Sequence, residues 1–323
     1  MNILEKYKNI IEEALAKHSF QTMKPKELYE PCDYILSLGG KRIRPVIAML
    51  GSYLFDGKDE DAIKPALAIE FFHNFSLMHD DIMDEAPIRR GKETVHLKYG
   101  INTGILSGDS LLIESYKMFE DLPAEKFKTV TQLFSKTATE LCEGQQYDMN
   151  FENQDEVSYE EYIQMISLKT SVLVGAAFQI GAIVAGAEKE DYEKLYEFGK
   201  NLGIAFQLKD DYLDVFGEKD FGKIHAGDII ENKKTILYIK ALEEADKESL
   251  KELKYWYGIK TDNIDKVYAV EKIFKRLKVD YAVMSLIGLY TEKAMMNLNE
   301  IQVSDEKKSV LRELASSLIV RQI

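Results

Sequence analysis

The distribution of proline is the feature of this 323-residue chain that most restricts its fold. All six prolines lie at or before Pro123, so residues 124–323 contain none. Proline removes an N–H donor and clashes with the preceding helical turn, so its absence fits long uninterrupted helices. Apolar residues in that region recur at helical spacing, as in Leu195, Phe198 and Leu202, whereas strand-like alternation is hard to find. The sequence predicts an all-α protein.

Length and composition favour one large globular domain. Hydrophobic residues make up 46% of the chain, which is enough to bury a large core. No linker rich in proline, glycine or serine divides the sequence, and it has no short-period repeat. We therefore expect residues 1–323 to form a single domain, a large helical bundle around a central cavity.

Charge, cysteine content and hydropathy each exclude a class of partner or location. The net charge of −13 offers no broad basic field for a nucleic acid. Cys32 and Cys142 cannot form a disulfide framework, which favours a reducing cytoplasm. The N-terminus lacks the apolar core of a signal peptide. The uncharged residues 171–187 contain Gln179 and are marginal in length for a span, so we expect a buried helix and no stable membrane insertion.

Two segments carry the same spacing of three carboxylates at the end of an apolar run. On a helix, the first and last aspartates of each motif lie above one another, with the middle one on the flank. Three like charges there repel each other and lose hydration, which a bound cation would offset. Two such motifs in segments too apolar for surface helices predict Mg²⁺ holding a polyphosphate. The motifs are Asp80, Asp81 and Asp84, and then Asp210, Asp211 and Asp214.

Apolar periodicity and capping residues place these motifs within a series of helices. Ser158 is expected to cap one helix, and Asp109 or Ser110 to open another. The charged, glycine-spaced residues 217–234 predict a mobile loop or lid. The predicted helices are 3–20, 26–38, 63–83, 109–121, 126–148, 159–170, 171–186 and 190–216, with further helices over 235–320.

A cationic segment with a double glycine lies between the first predicted helices. Residues 39–45 hold Lys41, Arg42 and Arg44 directly after two glycines that permit close backbone approach to a ligand. This arrangement is typical of an anion site. The other interpretation is a helix C-cap with basic residues that complement the helix dipole.

A second cationic segment follows the first acidic motif. Arg89 and Arg90 stand before a glycine, and the planar fork of arginine suits phosphate oxygens. These arginines could instead simply neutralise Asp84 and Glu85. With the apolar side chains beneath the first acidic motif, the two segments imply a diphosphate ligand with an apolar tail.

The order of these motifs resembles that of the trans-isoprenyl diphosphate synthases, the polyprenyl synthetase family, in its short-chain farnesyl and geranylgeranyl type. The resemblance covers nearly the whole chain, and an ordered set of this kind is highly specific. The matching pieces are residues 39–45, His73 ahead of residues 80–84, residues 89–91, Gly108-Asp109, Lys169-Thr170, Phe206-Gln207 ahead of residues 210–214, and Lys223 with Lys233.

The resemblance implies an isoprenoid-synthase fold, a homodimer, a Mg²⁺ cluster and a role for each matching residue. The metal ligands would be Asp80, Asp84 and Asp210, supported by Asp81, Asp211 and Asp214. The residues that contact the allylic diphosphate would be Arg89, Lys169, Lys223 and Lys233. The metal-free site for isopentenyl diphosphate would comprise Gly40, Lys41, Arg44, His73 and Arg90. The residues facing the reacting carbons would be Thr170 and Gln207. Without the resemblance, His73 would be interpreted as a core histidine.

The implied reaction is the head-to-tail condensation of an allylic diphosphate with isopentenyl diphosphate. It yields an all-trans prenyl diphosphate and diphosphate. The allylic C–O bond ionises as charge on the leaving diphosphate is stabilised, and the second substrate attacks the cation with its double bond. Water would quench the cation, so the site must close before the bond breaks. We expect the predicted lid, residues 217–234, to close it.

Product length is expected to depend on the face of the helix beneath Asp80. Phe75 and Ser76 lie about 6–7.5 Å before Asp80 along the helix axis, and Phe72 about 12 Å before it. A growing prenyl tail should descend along this face, with Phe75 as its floor and Ser76 leaving room beside it. In the family, an aromatic residue placed like Phe75 accompanies short products. We expect farnesyl or geranylgeranyl diphosphate, with a slight preference for geranylgeranyl.

Three other classes of protein share parts of this pattern. A terpene cyclase also ionises prenyl diphosphates, but its second metal motif usually mixes asparagine, serine and glutamate. A non-catalytic partner subunit of a prenyl synthase typically loses carboxylates from one motif, and none is lost here. A metal-dependent phosphohydrolase would release phosphate without making a longer prenyl chain.

Overall fold

The computed structural model describes residues 2–217 and 226–319, which are almost entirely helical. The chain divides into two compact units, Met1–Ser135 with Ala176–Tyr196 and Lys136–Gly175 with Glu197–Ile323. The helices are α1 (Ile3–Lys17), α2 (Lys26–Ser37), α3 (Ile43–Leu54), α4 (Asp59–Met83), α5 (Val95–Tyr99), α6 (Ile101–Lys117), α7 (Ala124–Glu152), α8 (Tyr159–Ile166), α9 (Val172–Ala185), α10 (Lys189–Phe216), α11 (Gly227–Ile230), α12 (Ile236–Glu244), α13 (Lys247–Tyr257), α14 (Ile264–Arg276), α15 (Val279–Glu300) and α16 (Asp305–Ile319). The prediction of an all-α fold is confirmed.

Helix α4 is the centre of the first unit and packs against α3 and α6. Its first turn is acidic (Asp59, Glu60 and Asp61), which suits the positive end of the helix dipole. The following turns are buried on every side, from Ala66 to Met78 with few exceptions. A helix that is apolar all round belongs in a core, and this one ends at the edge of the core, where Asp81 is still buried and Asp84 is exposed.

The second unit has its own apolar core. Side chains from α8, α10, α12, α14 and α15 meet there, and Leu208, Ile236 and Val270 have no exposed surface. Helix α8 begins with a capping box, because the Ser158 hydroxyl accepts from the Glu161 backbone and the Glu161 side chain accepts from Ser158. The prediction that Ser158 caps this helix is confirmed.

The apolar region around residues 171–187 forms a buried helix, as predicted. Among residues 2–217 and 226–319, one helical stretch, Tyr159–Ala185, is apolar and long enough to cross a membrane. In that stretch, 67% of the relevant window is buried inside the structure. This burial is what a core helix of a soluble protein shows, and α9 supplies most of it through Leu173, Ala177 and Phe178.

The predicted start of α6 was wrong. The helix begins at Ile101, so Gly108 and Asp109 lie inside it and neither Asp109 nor Ser110 is an N-cap. A Cβ atom on Gly108 would lie 2.4 Å from Nε2 of His79. Glycine at this position therefore allows α6 to lie close against α4 and is not a sign of a helix boundary.

Three local features differ from the predicted series. Helix α7 extends to Glu152, four residues beyond its predicted end. The predicted helix 159–170 ends earlier and continues as a π-helical turn, Ser167–Ser171. Strands β1 (Ile88–Arg89) and β2 (Lys92–Glu93) form an antiparallel hairpin where a loop was expected.

Of the predicted lid 217–234, residues 218–225, including Lys223, lie outside the described residues.

Candidate active site

The carboxylates of the first acidic motif have different surroundings at the end of α4. Asp81 is 1% exposed and is held by Arg89 of β1. The Nε atom of Arg89 donates to both Asp81 oxygens at 2.9 and 2.8 Å, and its Nη2 donates to Oδ1 at 2.6 Å. Asp80 is half-buried, and Asp84 is the exposed C-cap of the helix. Solvent and ligands can therefore reach Asp80 and Asp84, whereas Asp81 is hydrogen-bonded to the guanidinium group of Arg89.

The pairing of Arg89 with Asp81 was not anticipated. The sequence interpretations gave Arg89 either to a phosphate or to Asp84 and Glu85. The pair forms because the β1–β2 hairpin folds the arginine back over the end of α4. Spacing along the chain cannot show such a reversal of direction.

The neighbouring Arg90 lies on the glycine pair at residues 39–40. Its Nη1 donates to the carbonyl of Gly39. Gly40 has a φ of +137°, and a Cβ there would lie 3.0 Å from Cζ of Arg90. A side chain at position 40 would be strained and would push the guanidinium away. The glycine thus fixes where Arg90 lies.

Arg44 and His73 complete a group of cationic and imidazole side chains near this loop. The Arg44 Nη1 atom lies 3.2 Å from Nε2 of His73. Because arginine can only donate, Nε2 accepts this bond and the imidazole proton resides on Nδ1. Burial, followed by the charges of Arg44 and Arg90, holds the pKa of His73 well below its usual range. A neutral histidine therefore sits among guanidinium groups, in surroundings suited to an anion.

Of the three cations at residues 41–44, Arg42 lies outside the group formed by Arg44, His73 and Arg90. It is 5% exposed and pairs with Glu70 at 2.6 Å and with Glu12 at 3.0 Å. Its backbone adopts the left-handed conformation that turns the side chain inward at the start of α3. Of the two interpretations of residues 39–45, an anion site with three cations does not hold for Arg42, which pairs with Glu70 and Glu12. Lys41 is exposed.

The three residues predicted to limit product length lie together on α4. Phe75 is 9% exposed, and its ring lies 5.5 Å from that of Phe72 and 4.7 Å from that of His79. Ser76 is buried, and its hydroxyl donates to the carbonyl of His73 at 2.9 Å. Phe75 and Ser76 thus lie side by side about one turn before Asp80, and their role in product length stays a prediction.

The second acidic motif, on α10, repeats the contrast between outer and middle carboxylates. Asp211 is 6% exposed and accepts hydrogen bonds from Tyr162 and, at 3.0 Å, from the amide of Gln207. Burial raises the pKa of Asp211 to about 6, although these two donors oppose the rise. Asp210 is exposed. The buried Asp211 carboxylate is therefore stabilised by the neutral donors Tyr162 and Gln207, whereas Asp81 is stabilised by an arginine.

Gln207 also connects this motif to the π-helical turn. The Thr170 hydroxyl donates to Oε1 of Gln207 at 3.3 Å. Inserted π turns are frequent at functional sites because they redirect side chains out of the regular helix. The two residues that the resemblance assigned to the reacting carbons therefore lie within one hydrogen bond of each other.

Several charged side chains surround the end of α10. The Asp228 backbone donates to the Asp214 carboxylate at 3.1 Å, and Lys233 lies 3.8 Å from the Asp228 carboxylate. Burial, with the charges of Asp211 and Asp214, raises the pKa of Asp228 to about 8. Nothing in the residue spacing singles out Asp228, because its partial burial depends on the fold. Lys233 also pairs with Glu231 at 2.9 Å.

Lys169, also on the π turn, is paired with a carboxylate of α7. Its ammonium group donates to Asp148. The structure therefore places Lys169 beside Asp148 and Lys233 beside Asp228 and Glu231. Lys223 lies outside the described residues.

Comparison with known proteins decides the family. A family model for polyprenyl synthetase matches residues 25–275. The chain belongs to the polyprenyl synthetase family. A geranylgeranyl diphosphate synthase from Sulfolobus acidocaldarius is 39% identical over 302 residues, which cover 92% of this chain and 91% of the relative. A geranylfarnesyl diphosphate synthase from Aeropyrum pernix is 36% identical over 312 residues, covering 94% and 97%.

Solved structures of polyprenyl synthetases have the same fold. A crystal structure of a geranylgeranyl pyrophosphate synthase is 44% identical, with a TM-score of 0.95 over 100% of both chains. The enzyme from Corynebacterium glutamicum, solved with isoprenyl diphosphate and magnesium, is 27% identical, with a TM-score of 0.85 over 98% of both chains. The predicted isoprenoid-synthase fold and the predicted prenyl diphosphate synthase reaction are confirmed, and the cyclase and phosphohydrolase alternatives are set aside.

The donor set of the polyprenyl synthetase motifs fits magnesium bound together with phosphate. Within residues 2–217 and 226–319, no three acidic, histidine or cysteine side chains form a ready metal centre. Mg²⁺ usually takes one or two carboxylates and fills its other positions with phosphate oxygens and water. Asp80 and Asp84, one turn apart at an exposed helix end, offer that partial set.

Proposed function

We propose that this polyprenyl synthetase makes geranylgeranyl diphosphate from isopentenyl diphosphate and a shorter allylic diphosphate. Two relatives are named as geranylgeranyl synthases, at 39% and 44% identity. Two relatives of similar identity, 37% and 36%, are named as geranylfarnesyl synthases, so the family alone does not decide product length. The observation that supports the choice is the position of Phe75, whose buried ring lies five residues before Asp80 and packs on the rings of Phe72 and His79.

The group around Arg44 is the proposed site for the diphosphate of isopentenyl diphosphate. Arg44 and Arg90 supply fixed guanidinium groups, and Gly40 exposes its backbone beside them. His73 would donate its Nδ1 proton or turn its ring toward the anion, and Lys41 adds an exposed charge. Among residues 2–217 and 226–319, no carboxylate is shown hydrogen-bonded to Arg44 or His73, and positive charge in such surroundings favours a metal-free anion site.

The outer carboxylates are the proposed magnesium ligands. They are Asp80 and Asp84 on α4, and Asp210 with Asp214 on α10. Asp81 and Asp211 hold the ends of their helices in place through Arg89 and Tyr162. Magnesium, when bound with the allylic diphosphate, neutralises the charge that builds up on the leaving group. Arg89, Lys169, Lys223 and Lys233 add cationic charge for the same diphosphate.

Side chains of this chain would then guide the carbon chemistry. The allylic C–O bond breaks, and its electron pair leaves with the diphosphate. The oxygens of Thr170 and Gln207, which are hydrogen-bonded to each other, stabilise the allylic cation electrostatically. The double bond of isopentenyl diphosphate forms the new C–C bond, and a proton passes to the released diphosphate to restore a double bond.

A homodimer in the cytoplasm is the proposed assembly. Helix α6 carries a row of exposed apolar side chains, and such patches mark interaction surfaces. Its members are Ile101, Ile105, Leu106 and Ile113, with exposed fractions of 56%, 40%, 59% and 57%. An Ile105→Glu/Ile113→Glu variant should shift the protein from dimer to monomer by light scattering.

One incubation tests the proposed function. The purified enzyme receives Mg²⁺, isopentenyl diphosphate and one of three allylic primers, and the products are separated by chain length. We expect geranylgeranyl diphosphate from each primer. Absence of any elongated product would show that the chain is a non-catalytic partner subunit, and a longer or shorter product would correct the chain length only.

Phe75→Ala tests the product floor in the same assay. Removal of the ring should shift the main product to at least one isoprene unit longer than that of the wild type. An unchanged product length would remove Phe75 from this role.

A further inference from the structure

Lys266 on α14 is a charged side chain with no exposed surface. Its ammonium group donates to the carbonyl of Ile230 at 3.2 Å, to that of Ile259 at 2.9 Å, and to the side-chain oxygen of Asn232. An ammonium group has three N–H donors, so each donor has an acceptor, and none of these acceptors is a carboxylate. The buried charge is therefore stabilised by three neutral oxygens that come from two different segments of the chain.

Two of these acceptors belong to α11 and the turn that follows it. Ile230 is the last residue of α11, and Asn232 has a φ of +60°, in the left-handed region that asparagine adopts more readily than most residues. The Asn232 amide also donates to the carbonyl of Ile259 at 3.3 Å. Lys266, Asn232 and Ile259 are thus joined in a closed ring of hydrogen bonds, which ties the turn to α14 and to the segment after α13.

The next residue, Lys233, ends a short segment that is held at both ends. At the start of the segment, the backbone of Ala226 donates to the Asp214 carbonyl at 2.9 Å, and that of Asp228 donates to the Asp214 carboxylate at 3.1 Å. At its end, the Lys233 backbone donates to the carbonyl of Asp228 at 2.9 Å, directly after the residue that Lys266 holds. Residues 226–233 are therefore attached to the second acidic motif on α10 and to the buried lysine on α14.

We propose that Lys266 is a positioning residue for the allylic diphosphate, and that it acts through Asn232 on Lys233. Because it fixes the turn at Asn232, it sets the direction in which the side chain of Lys233 leaves the backbone. A turn without this tie would be ordered only when the ligand binds, and the cost of that ordering would lower the affinity. The inference rests on the proposed function, which assigns Lys233 to the allylic diphosphate.

The test is the steady-state kinetics of Lys266→Met, which keeps an unbranched apolar side chain in the core but removes all three donors. We expect the KM for the allylic substrate to rise by about tenfold and that for isopentenyl diphosphate to change by less than about twofold. A role in the stability of the fold alone would not separate the two KM values. An unchanged KM for the allylic substrate, or an equal rise in both, would overturn the proposal.

Lys308→Met is the matched control. Lys308, on α16 of the same unit, is 8% exposed, and its ammonium group donates to the carbonyl of Asn299 on α15 at 2.8 Å. Loss of this buried lysine should lower thermal stability, as Lys266→Met does, and leave both KM values unchanged. A rise in the KM for the allylic substrate as large as that of Lys266→Met would show general loosening and would contradict the proposal.

Asn232→Gly tests the same connection without removing a side chain from the core. Glycine adopts the left-handed conformation freely, so this variant permits the observed backbone and removes the side-chain contacts. We expect it to raise the KM for the allylic substrate, with little further rise when it is combined with Lys266→Met, because both changes break the same connection. Fully independent effects would overturn the proposal. Should Lys266→Met fail to fold, an unchanged KM in Asn232→Gly would overturn it.

Lys233→Gln separates this inference from the proposed function. A wild-type enzyme that makes no elongated product would contradict the proposed function. If elongation is normal but Lys233→Gln leaves the KM for the allylic substrate unchanged, the assignment of Lys233 is wrong and the role of Lys266 falls with it. If Lys233→Gln raises that KM and Lys266→Met does not, only the positioning role of Lys266 is overturned.

Discussion

The two acidic motifs have identical spacing but different support for their middle carboxylate. On α4, the Asp81 carboxylate accepts hydrogen bonds of 2.6–2.9 Å from the guanidinium group of Arg89. On α10, Asp211 accepts from two neutral donors, Tyr162 and Gln207, and its pKa is raised to about 6. In both motifs the middle residue is buried, while an outer one remains accessible. On our proposal the shared pattern encodes two outer metal ligands and one structural anchor, and each unit stabilises its buried middle carboxylate differently.

The largest expected effect is the loss of an outer carboxylate. Asp80→Asn and Asp210→Asn should each lower kcat/KM by about 10³-fold or more, because a ligand for the charge on the leaving group is removed. Steady-state kinetics with saturating Mg²⁺ would measure this. A loss below about tenfold in either variant would remove that residue from the proposed metal site.

Loss of the charged anchor on α4 should cost less. Asp81→Asn should lower activity by about 10–100-fold, in the range of residues that orient metal ligands. Arg89→Lys keeps the charge but not the two-pronged geometry, so it should fall in the same range. Equal losses for Asp80→Asn and Asp81→Asn would erase the distinction between ligand and anchor.

The neutral anchor on α10 should show its effect in stability. Tyr162→Phe removes one donor from the buried Asp211 carboxylate, which should lower the free energy of unfolding by about 1–3 kcal/mol. Urea denaturation measures it. Tyr159→Phe is the control, because its hydroxyl lies 3.5 Å from that of Tyr290 and touches no carboxylate of the motif. An equal loss in both variants would contradict a special role for Tyr162.

The smallest effect concerns His73, near the first motif. Because its pKa is lowered in the folded state, the unfolded chain binds more protons once the pH falls below about 6.5. His73 therefore contributes to the loss of stability on acidification, by at most about 1.4 kcal/mol per pH unit. In His73→Gln, the free energy of unfolding should fall less between about pH 7.5 and 5.5. A fall as steep as that of the wild type would show that His73 does not titrate abnormally.

The sequence predicted features that depend on local pattern. Long proline-free helices, both acidic helices and the Ser158 cap follow from periodicity and from short-range hydrogen bonding. The fold class and the reaction came from motifs in a fixed order. The carboxylates at the ends of two apolar helices were interpreted as ligands for magnesium bound with a diphosphate.

Features that depend on chain reversal or close packing were missed. In the sequence, Arg42 is one of three neighbouring cations. In the structure its side chain is buried and pairs with Glu70, and its backbone is in the left-handed region. Gly108 reads as a helix boundary, yet it serves the contact with His79. The burial of Asp228 beside Asp214 likewise depends on a fold that no spacing reveals.

Calorimetric titration of inorganic diphosphate, with and without Mg²⁺, tests the distinction between ligand and anchor most directly. It would be applied to the wild type, Asp80→Asn and Asp81→Asn. We predict that Asp80→Asn abolishes the gain in affinity that Mg²⁺ gives, whereas Asp81→Asn keeps that gain with affinity reduced by about 10–100-fold. A gain that survives in Asp80→Asn and disappears in Asp81→Asn would contradict the account.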